Sequence, residues 1–201
     1  MAKIQPLPVA GLPSTSSSSG GHQQGGQAAY TVWMKSLVFN GNGCTVYTPD
    51  GAVAFRVDNY GCKGGREVFF MDRVGKTLIS IRRKGLSMFR RWEVSRCTHD
   101  GSEEDEATPW FSVRRTEKAG ASVRMHGGEG TCYRVDGCFA HKSEYRVSGI
   151  DGAVVAVVAR KQTSAGVVLG DDVLSLTMGT EVDHLLVLGL VVVRGLMNHS
   201  L

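Results

Sequence analysis

The most constraining stretch of this chain lies late in the sequence. From Val182 to Met197 it reads Val-Asp-His-Leu-Leu-Val-Leu-Gly-Leu-Val-Val-Val-Arg-Gly-Leu-Met. The apolar residues form no stripe. Wound at 3.6 residues per turn they occupy every side, and a helix apolar all round must be buried in a large core or in a membrane. The run without a polar side chain ends at Arg194, well short of the roughly 20 residues a spanning helix needs. A buried core helix is therefore expected, and the rest of the chain must supply a wall around it.

Upstream, the periodicity changes from 3.6 to 2. Tyr30, Val32 and Met34 alternate with Thr31, Trp33 and Lys35, which is strand patterning. Asn40-Gly41-Asn42-Gly43 then signals a hairpin, because Asn and Gly tolerate positive φ, and Thr48-Pro49-Asp50-Gly51 has matched turn chemistry. Val53, Phe55 and Val57 share one face of a further strand, with Arg56 and Asp58 on the other. The same cadence continues through Glu67–Met71, Thr77–Arg82, Met88–Val94, Trp110–Arg115, Ser122–Met125, Cys132–Val135, Glu144–Val147, Ala153–Ala159 and Val173–Met178, with Cys97–Thr108 read as a loop. About a dozen short strands separated by turns is the pattern of an all-β barrel or sandwich. Ala153–Val158 is apolar on both faces, so a central strand is expected there.

The lengths agree. A helix of about 17 residues is roughly 25 Å long, and a strand of about seven residues spans roughly 23 Å. The helix can therefore lie along the axis of a barrel, and any ligand must then be met on the outside.

Residues 1–27 are rich in Ser, Gly and Gln and hold too little apolar surface to offset their ordering entropy, so a disordered segment is expected before a domain spanning 28–199. The net charge of +4 is too mild for a strongly cationic nucleic-acid coat, but it permits a local basic patch. The five cysteines are odd in number and show no C-x-x-C spacing, which fits a reducing intracellular compartment.

The succession Val32-Trp33-Met34-Lys35-Ser36-Leu37, Phe39-Asn40-Gly41-Asn42-Gly43, Thr45-Val46-Tyr47 and Phe55-Arg56-Val57-Asp58-Asn59-Tyr60 resembles the plant LURP-one-related family. So do Gly75-Lys76, Ile81-Arg82-Arg83-Lys84, Trp92, Gly170-Asp171-Asp172-Val173, Val182-Asp183 and Leu190-Val191-Val192-Val193. The resemblance covers about residues 28–199. It implies a Tubby-like fold, all-β dominated: a closed antiparallel barrel of about twelve strands around one buried C-terminal hydrophobic helix. The family is similar to phospholipid scramblases and to the tubby carboxy-terminal domain. It implies tethering to membranes through phosphoinositides or other acidic lipids, a role in plant defence signalling, and possible transcriptional function. The alternatives are a protein-interaction or transcription-linked adaptor and a scramblase-like lipid transporter.

The cluster Arg82, Arg83, Lys84, Arg90 and Arg91 flanks a hairpin around Gly85 and is the candidate lipid-headgroup site, since clustered cations chelate phosphates and Arg does so bidentately. Alternation places Arg82 and Lys84 on one face and Arg83 on the other. The plain reading is a solvated hairpin rim that protects a strand edge. Arg114, Arg115 and Lys118 form a second, weaker cluster; Arg160 and Lys161 read as a strand end. Glu103–Glu106 reads as a solvated loop. Thr180 with Asp183 forms an S/T-x-x-D capping arrangement. No catalytic residue, metal site or cofactor is expected, and Cys138 with His141 lacks the third group a nucleophile needs. The expectation is thus a non-enzymatic monomer with no transmembrane span. It would be cytoplasmic, with peripheral plasma-membrane or nuclear placement, and have acidic lipids as partners.

Overall fold

The computed structural model describes residues 26–35, 43–58, 67–84, 91–98, 106–116, 120–127, 132–137 and 144–198. In chain order these form β1 (Gln27–Trp33), β2 (Gly43–Tyr47), β3 (Val53–Asp58), β4 (Glu67–Asp72), β5 (Thr77–Lys84) and β6 (Arg91–Thr98). They continue with β7 (Glu106–Arg115), β8 (Ala121–Met125), β9 (Cys132–Gly137), β10 (Tyr145–Ser148), β11 (Val154–Arg160), β12 (Val173–Gly179) and α1 (His184–Asn198). Each strand pairs antiparallel with its sequence neighbours. β1 also pairs with β12, from Gln27↔Gly179 to Trp33↔Val173, so the sheet closes into a barrel. The expected all-β barrel around a C-terminal helix is what forms.

Period-2 patterning builds the wall. Leu174, Leu176 and Met178 of β12 point inward, as do Ile79 and Ile81 of β5 and Phe111 and Val113 of β7, and all are buried. They surround α1, in which every residue from Leu186 to Gly195 is buried. A helix apolar on all sides satisfies a wall that is apolar on its whole inner surface. The turns carry the expected chemistry. Gly51 takes φ +85° where its N–H donates to the Thr48 carbonyl at 2.9 Å, a conformation that glycine adopts without steric cost.

α1 enters beside the start of β1, where His184 Nδ1 lies 3.1 Å from the Tyr30 hydroxyl. It begins at His184, and Asp183 is the cap itself: Asp183 Oδ1 accepts from Leu185 N at 2.9 Å and Leu186 N at 3.2 Å. The expected capping arrangement would have put Thr180 in that role. Instead Thr180 N donates to Gly26 O, before the helix starts. At the far mouth Arg194 is only 6% exposed. Its guanidinium lies 5.6 Å from the centroid of the Tyr145 ring, in cation–π range. It also occupies the space where a Cβ on Gly137 would come within 2.7 Å of Nη2. Burial pushes the Tyr145 hydroxyl well above its ordinary pKa and, by the same cost of desolvation, lowers that of Arg194.

Three expectations change. β6 reaches Thr98 and β7 starts at Glu106, so both ends of the expected Cys97–Thr108 loop are strand. Pro109 does not interrupt β7: it sits where the register shifts between Val94 and Ser95, one of the few strand positions that tolerates a missing N–H. The strand expected at Ala153–Val158 begins at Val154 and is central, between β10 and β12, but its outer face is not covered, since Val154 is 52% and Val157 40% exposed. β1 starts at Gln27, one residue inside the segment expected to be disordered; residues 1–25 lie outside the described residues, as do Glu103, Glu104 and Asp105.

Candidate functional site: an outward row of cations

With Ile79 and Ile81 turned inward, alternation turns Arg82 and Lys84 outward and leaves Arg83 on the opposite side of β5 at the barrel mouth. Trp92 and Val94 are the inward residues of β6, so Arg91 and Glu93 face outward. Arg90 lies outside the described residues. Two of the expected site cations already meet carboxylates. Arg82 Nη2 donates to both oxygens of Glu67, at 3.1 and 2.9 Å, and Lys84 Nζ lies 3.1 Å from Glu93. Exposed pairs of this kind contribute only about 0–1 kcal/mol, but they offset two of the charges that the cluster would offer a ligand.

The ladder register supplies what the local cluster lacks. Lys84 is opposite Arg91, Arg91 opposite Arg114, Arg114 opposite Ser122, Ser122 opposite Arg134, and Arg134 opposite Ser148. These six residues form one outward row across β5–β10, five interstrand steps of about 4.8 Å. The row runs diagonally, from the mouth where β5 ends to the mouth where β10 ends, as the strand stagger of a barrel requires. Arg124 lies beside it, two steps along from Glu93, and Arg146 stands opposite Asp136. Like charges directly opposite each other destabilise a sheet. Lys84, Arg91 and Arg114 in file therefore form a surface that gains from an anion laid across it.

The row ends in a concavity of about 460 Å³ lined by Ser122, Tyr133, Arg134, Asp136, Ser148, Gly149, Ile150 and Gly152. Its hydroxyls and guanidinium are donors suited to phosphate oxygens. A second, more apolar hollow of about 300 Å³ follows on β11 and β12, lined by Val154–Val157 and Thr177–Glu181 with Gly26 and Gln27.

The other expected groups are dispersed. Arg160 ends β11 and pairs with Glu144 at 3.3 Å and Asp171 at 3.4 Å, while Lys161 donates to Thr31 at 2.7 Å. Arg115 takes the inward side of its strand end, and Lys118 lies outside the described residues, as do Cys138 and His141. His184 bonds Tyr30 at the helix start. Among the described residues no group of three His, Cys, Asp or Glu side chains could hold a metal ion.

The LURP-one-related family profile matches residues 28–195. Protein LURP-one-related 11 of Arabidopsis thaliana is 35% identical over 98% of this chain and 89% of its own length. The chain belongs to the LURP-one-related family. LURP-one-related 4 of the same plant is 37% identical, covering 84% of this chain and 78% of its own length. An X-ray structure of another Arabidopsis thaliana protein superposes with a TM-score of 0.59 at 21% identity, covering 86% of this chain and 91% of that one. That likeness supports the barrel fold. The names of these LURP-one-related proteins state neither a ligand nor a reaction, so the chemistry must be read from the barrel surface itself.

A partial sequence signal did exist. Arg114 and Arg134 of the row recur with Arg124, which stands beside it, every ten residues, but that spacing does not say which of them share a file in this LURP-one-related chain. Local clustering drew attention to Arg82–Arg91 instead.

Proposed function

We propose that this protein is a non-catalytic module that binds anionic membrane lipids, phosphoinositides among them, peripherally through the outer wall of its barrel. The observation that carries the reading is the file Lys84–Arg91–Arg114–Ser122–Arg134–Ser148. Cations near an acidic bilayer each gain about 1 kcal/mol, so three or four acting together suffice for reversible, salt-sensitive attachment. The lumen is filled by α1, which leaves the outside as the binding surface. The Tubby-like resemblance supports the same reading. The cellular role we attach to it is that of a tethered regulator in defence-related signalling, cytoplasmic and at the plasma membrane.

The scramblase-like alternative is less well supported. Among the described residues no helix is long and apolar enough to cross a membrane. A barrel that spans with its strands needs an apolar outer band, and here the outer wall carries the arginine row. An adaptor role has one specific observation in its favour. The β11–β12 hairpin presents Val167, Val168 and Leu169 in succession, exposed by 61%, 38% and 51%.

Vesicle co-sedimentation tests the lipid reading. The parent should bind vesicles containing phosphatidylinositol phosphate and release with rising salt. Arg114→Glu with Arg134→Glu should weaken binding by at least about tenfold, since each reversal removes about 1 kcal/mol and adds repulsion. Equal, negligible binding to neutral and anionic vesicles would refute it.

A further inference from the structure

The outward row does not stop at Ser148. Ser148 is opposite Val154, just past the register shift in the β10–β11 ladder. Read across the wall, the row passes from cations (Lys84, Arg91, Arg114) to a hydroxyl–guanidinium–hydroxyl triplet (Ser122, Arg134, Ser148) and then to an aliphatic side chain. Between Ser148 and Val154 the chain turns, and the turn holds Ile150 at its apex, 75% exposed. We propose that Ile150 is a membrane anchor. In the same proposal, the concavity beside it, Ser122, Arg134 and Ser148, seats the phosphate of one anionic phospholipid while Ile150 and Val154 enter the acyl region. This rests on the lipid-binding reading above and deepens it by naming the headgroup seat and the depth of docking.

The turn is built to hold its tip out. Gly149 N donates to Ala153 O at 2.8 Å and Gly152 N to Gly149 O at 3.1 Å. Asp151 Oδ1 accepts from Ala153 N at 2.9 Å, and Gly152 takes φ +81°. A side chain on so constrained a turn loses little freedom when it is buried elsewhere, which favours insertion. Ile150 adds nothing to the core, yet it lines the same hollow as Arg134. The apolar surface continues along β11, where Val157 is opposite Arg146. Cation next to aliphatic over this span matches the order of chemistry met on entering a bilayer from its phosphates to its chains. Two carboxylates stand nearby. Asp136 lines the hollow opposite Arg146, and Asp151 is engaged within its own turn. Their presence limits the seat to a single phosphate rather than a dense polyanion.

The test uses the full chain and vesicles of phosphatidylcholine, with and without phosphatidic acid. Ile150→Ser changes only an exposed turn position, and an unchanged melting temperature would verify that the variant is folded. It should bind the acidic vesicles about 10- to 100-fold less tightly than the parent, the loss expected for one aliphatic side chain leaving hydrocarbon, with the slope of affinity against salt unchanged. Arg134→Ala should reduce that slope and the preference for phosphatidic acid. Vesicles carrying acyl-brominated lipid should quench additional fluorescence in Ile150→Trp relative to the parent. If Ile150→Ser binds like the parent and Ile150→Trp shows no added quenching, the anchor is refuted while salt-sensitive binding leaves the cation row standing. If the parent ignores acidic vesicles, both readings fall. If the parent binds inorganic phosphate and acidic vesicles neither sediment with it nor compete for that phosphate, the seat holds free phosphate and the membrane assignment is wrong.

Discussion

Ile79 Cδ1 of β5 stands 3.1 Å from the point that a Cβ on Gly189 of α1 would occupy, with Phe111 Cζ at 3.3 Å from the same point. Both neighbours are fully buried, so neither can move into solvent. Glycine costs a helix about 1 kcal/mol relative to alanine, and here it lets the helix lie against the wall. Gly189→Ala should regain helix propensity and lose it again to crowding, for a net change within about 1 kcal/mol. Gly189→Leu should destabilise by roughly 1–3 kcal/mol or more through overpacking. Urea unfolding would check both, and a Leu variant as stable as the parent would mean the lumen has slack.

Leu188 is 1% exposed on the same helix. Leu188→Ala should cost about 2–5 kcal/mol. Leu188→Asp should yield no soluble folded protein, because an isolated carboxylate cannot be accommodated in that core. Soluble yield and circular dichroism would decide, and an Asp variant melting like the parent would overturn the plugged barrel.

The cap is accessible to a gentler experiment. Asp183→Ala removes the acceptor for Leu185 N and Leu186 N and should cost about 0.5–2 kcal/mol, with Asp183→Asn retaining most of the stability. Asp183 also pairs with Arg96, which stacks 3.9 Å above the Trp110 ring. Comparing Asp183→Ala in the parent and in Arg96→Gln would separate the cap from the ion pair by a double-mutant cycle.

Alkaline pH should reveal Tyr145. Burial raises its hydroxyl pKa in the native state, whereas the unfolded chain titrates near about 10. Above that value the unfolded state binds fewer protons than the native state, so stability falls as pH rises, by up to about 1.4 kcal/mol per pH unit. Below it this group contributes a constant amount. Melting temperatures between pH 9 and 11 should decline more steeply in the parent than in Tyr145→Phe, and equal slopes would argue against a buried neutral hydroxyl.

Helix and wall were legible because each rests on short-range periodicity: the all-round apolarity of Leu185–Val193 and the alternation in stretches such as Val53–Val57. The cation row was not, because it exists only in the register between strands. Bulges between Val46 and Tyr47, Phe70 and Met71, Val94 and Ser95, and Val147 and Ser148 each shift that register. A one-residue slip sends every side chain to the other face. Thus Arg134 looked isolated in sequence, although it shares a file with Arg91 and Arg114. Arg82 looked available, although Glu67, 15 residues away, lies within hydrogen-bonding distance. Apolarity on both faces marked β11 as a central strand, which it is, yet the face that carries Val154 and Val157 is open.

The seam of the barrel has a consequence in time. Trp33 Nε1 bonds Asp172, 139 residues further along the chain, and the helix that fills the lumen follows later still. At about 5–20 residues per second of synthesis, β1 waits on the order of 7–30 s for its partner. During that interval a growing sheet has two open edges and a bare apolar inner face, the circumstances in which nascent chains aggregate or recruit chaperones. Closure removes both hazards at once. The chain is most vulnerable while it is being made and well protected once β12 and α1 arrive.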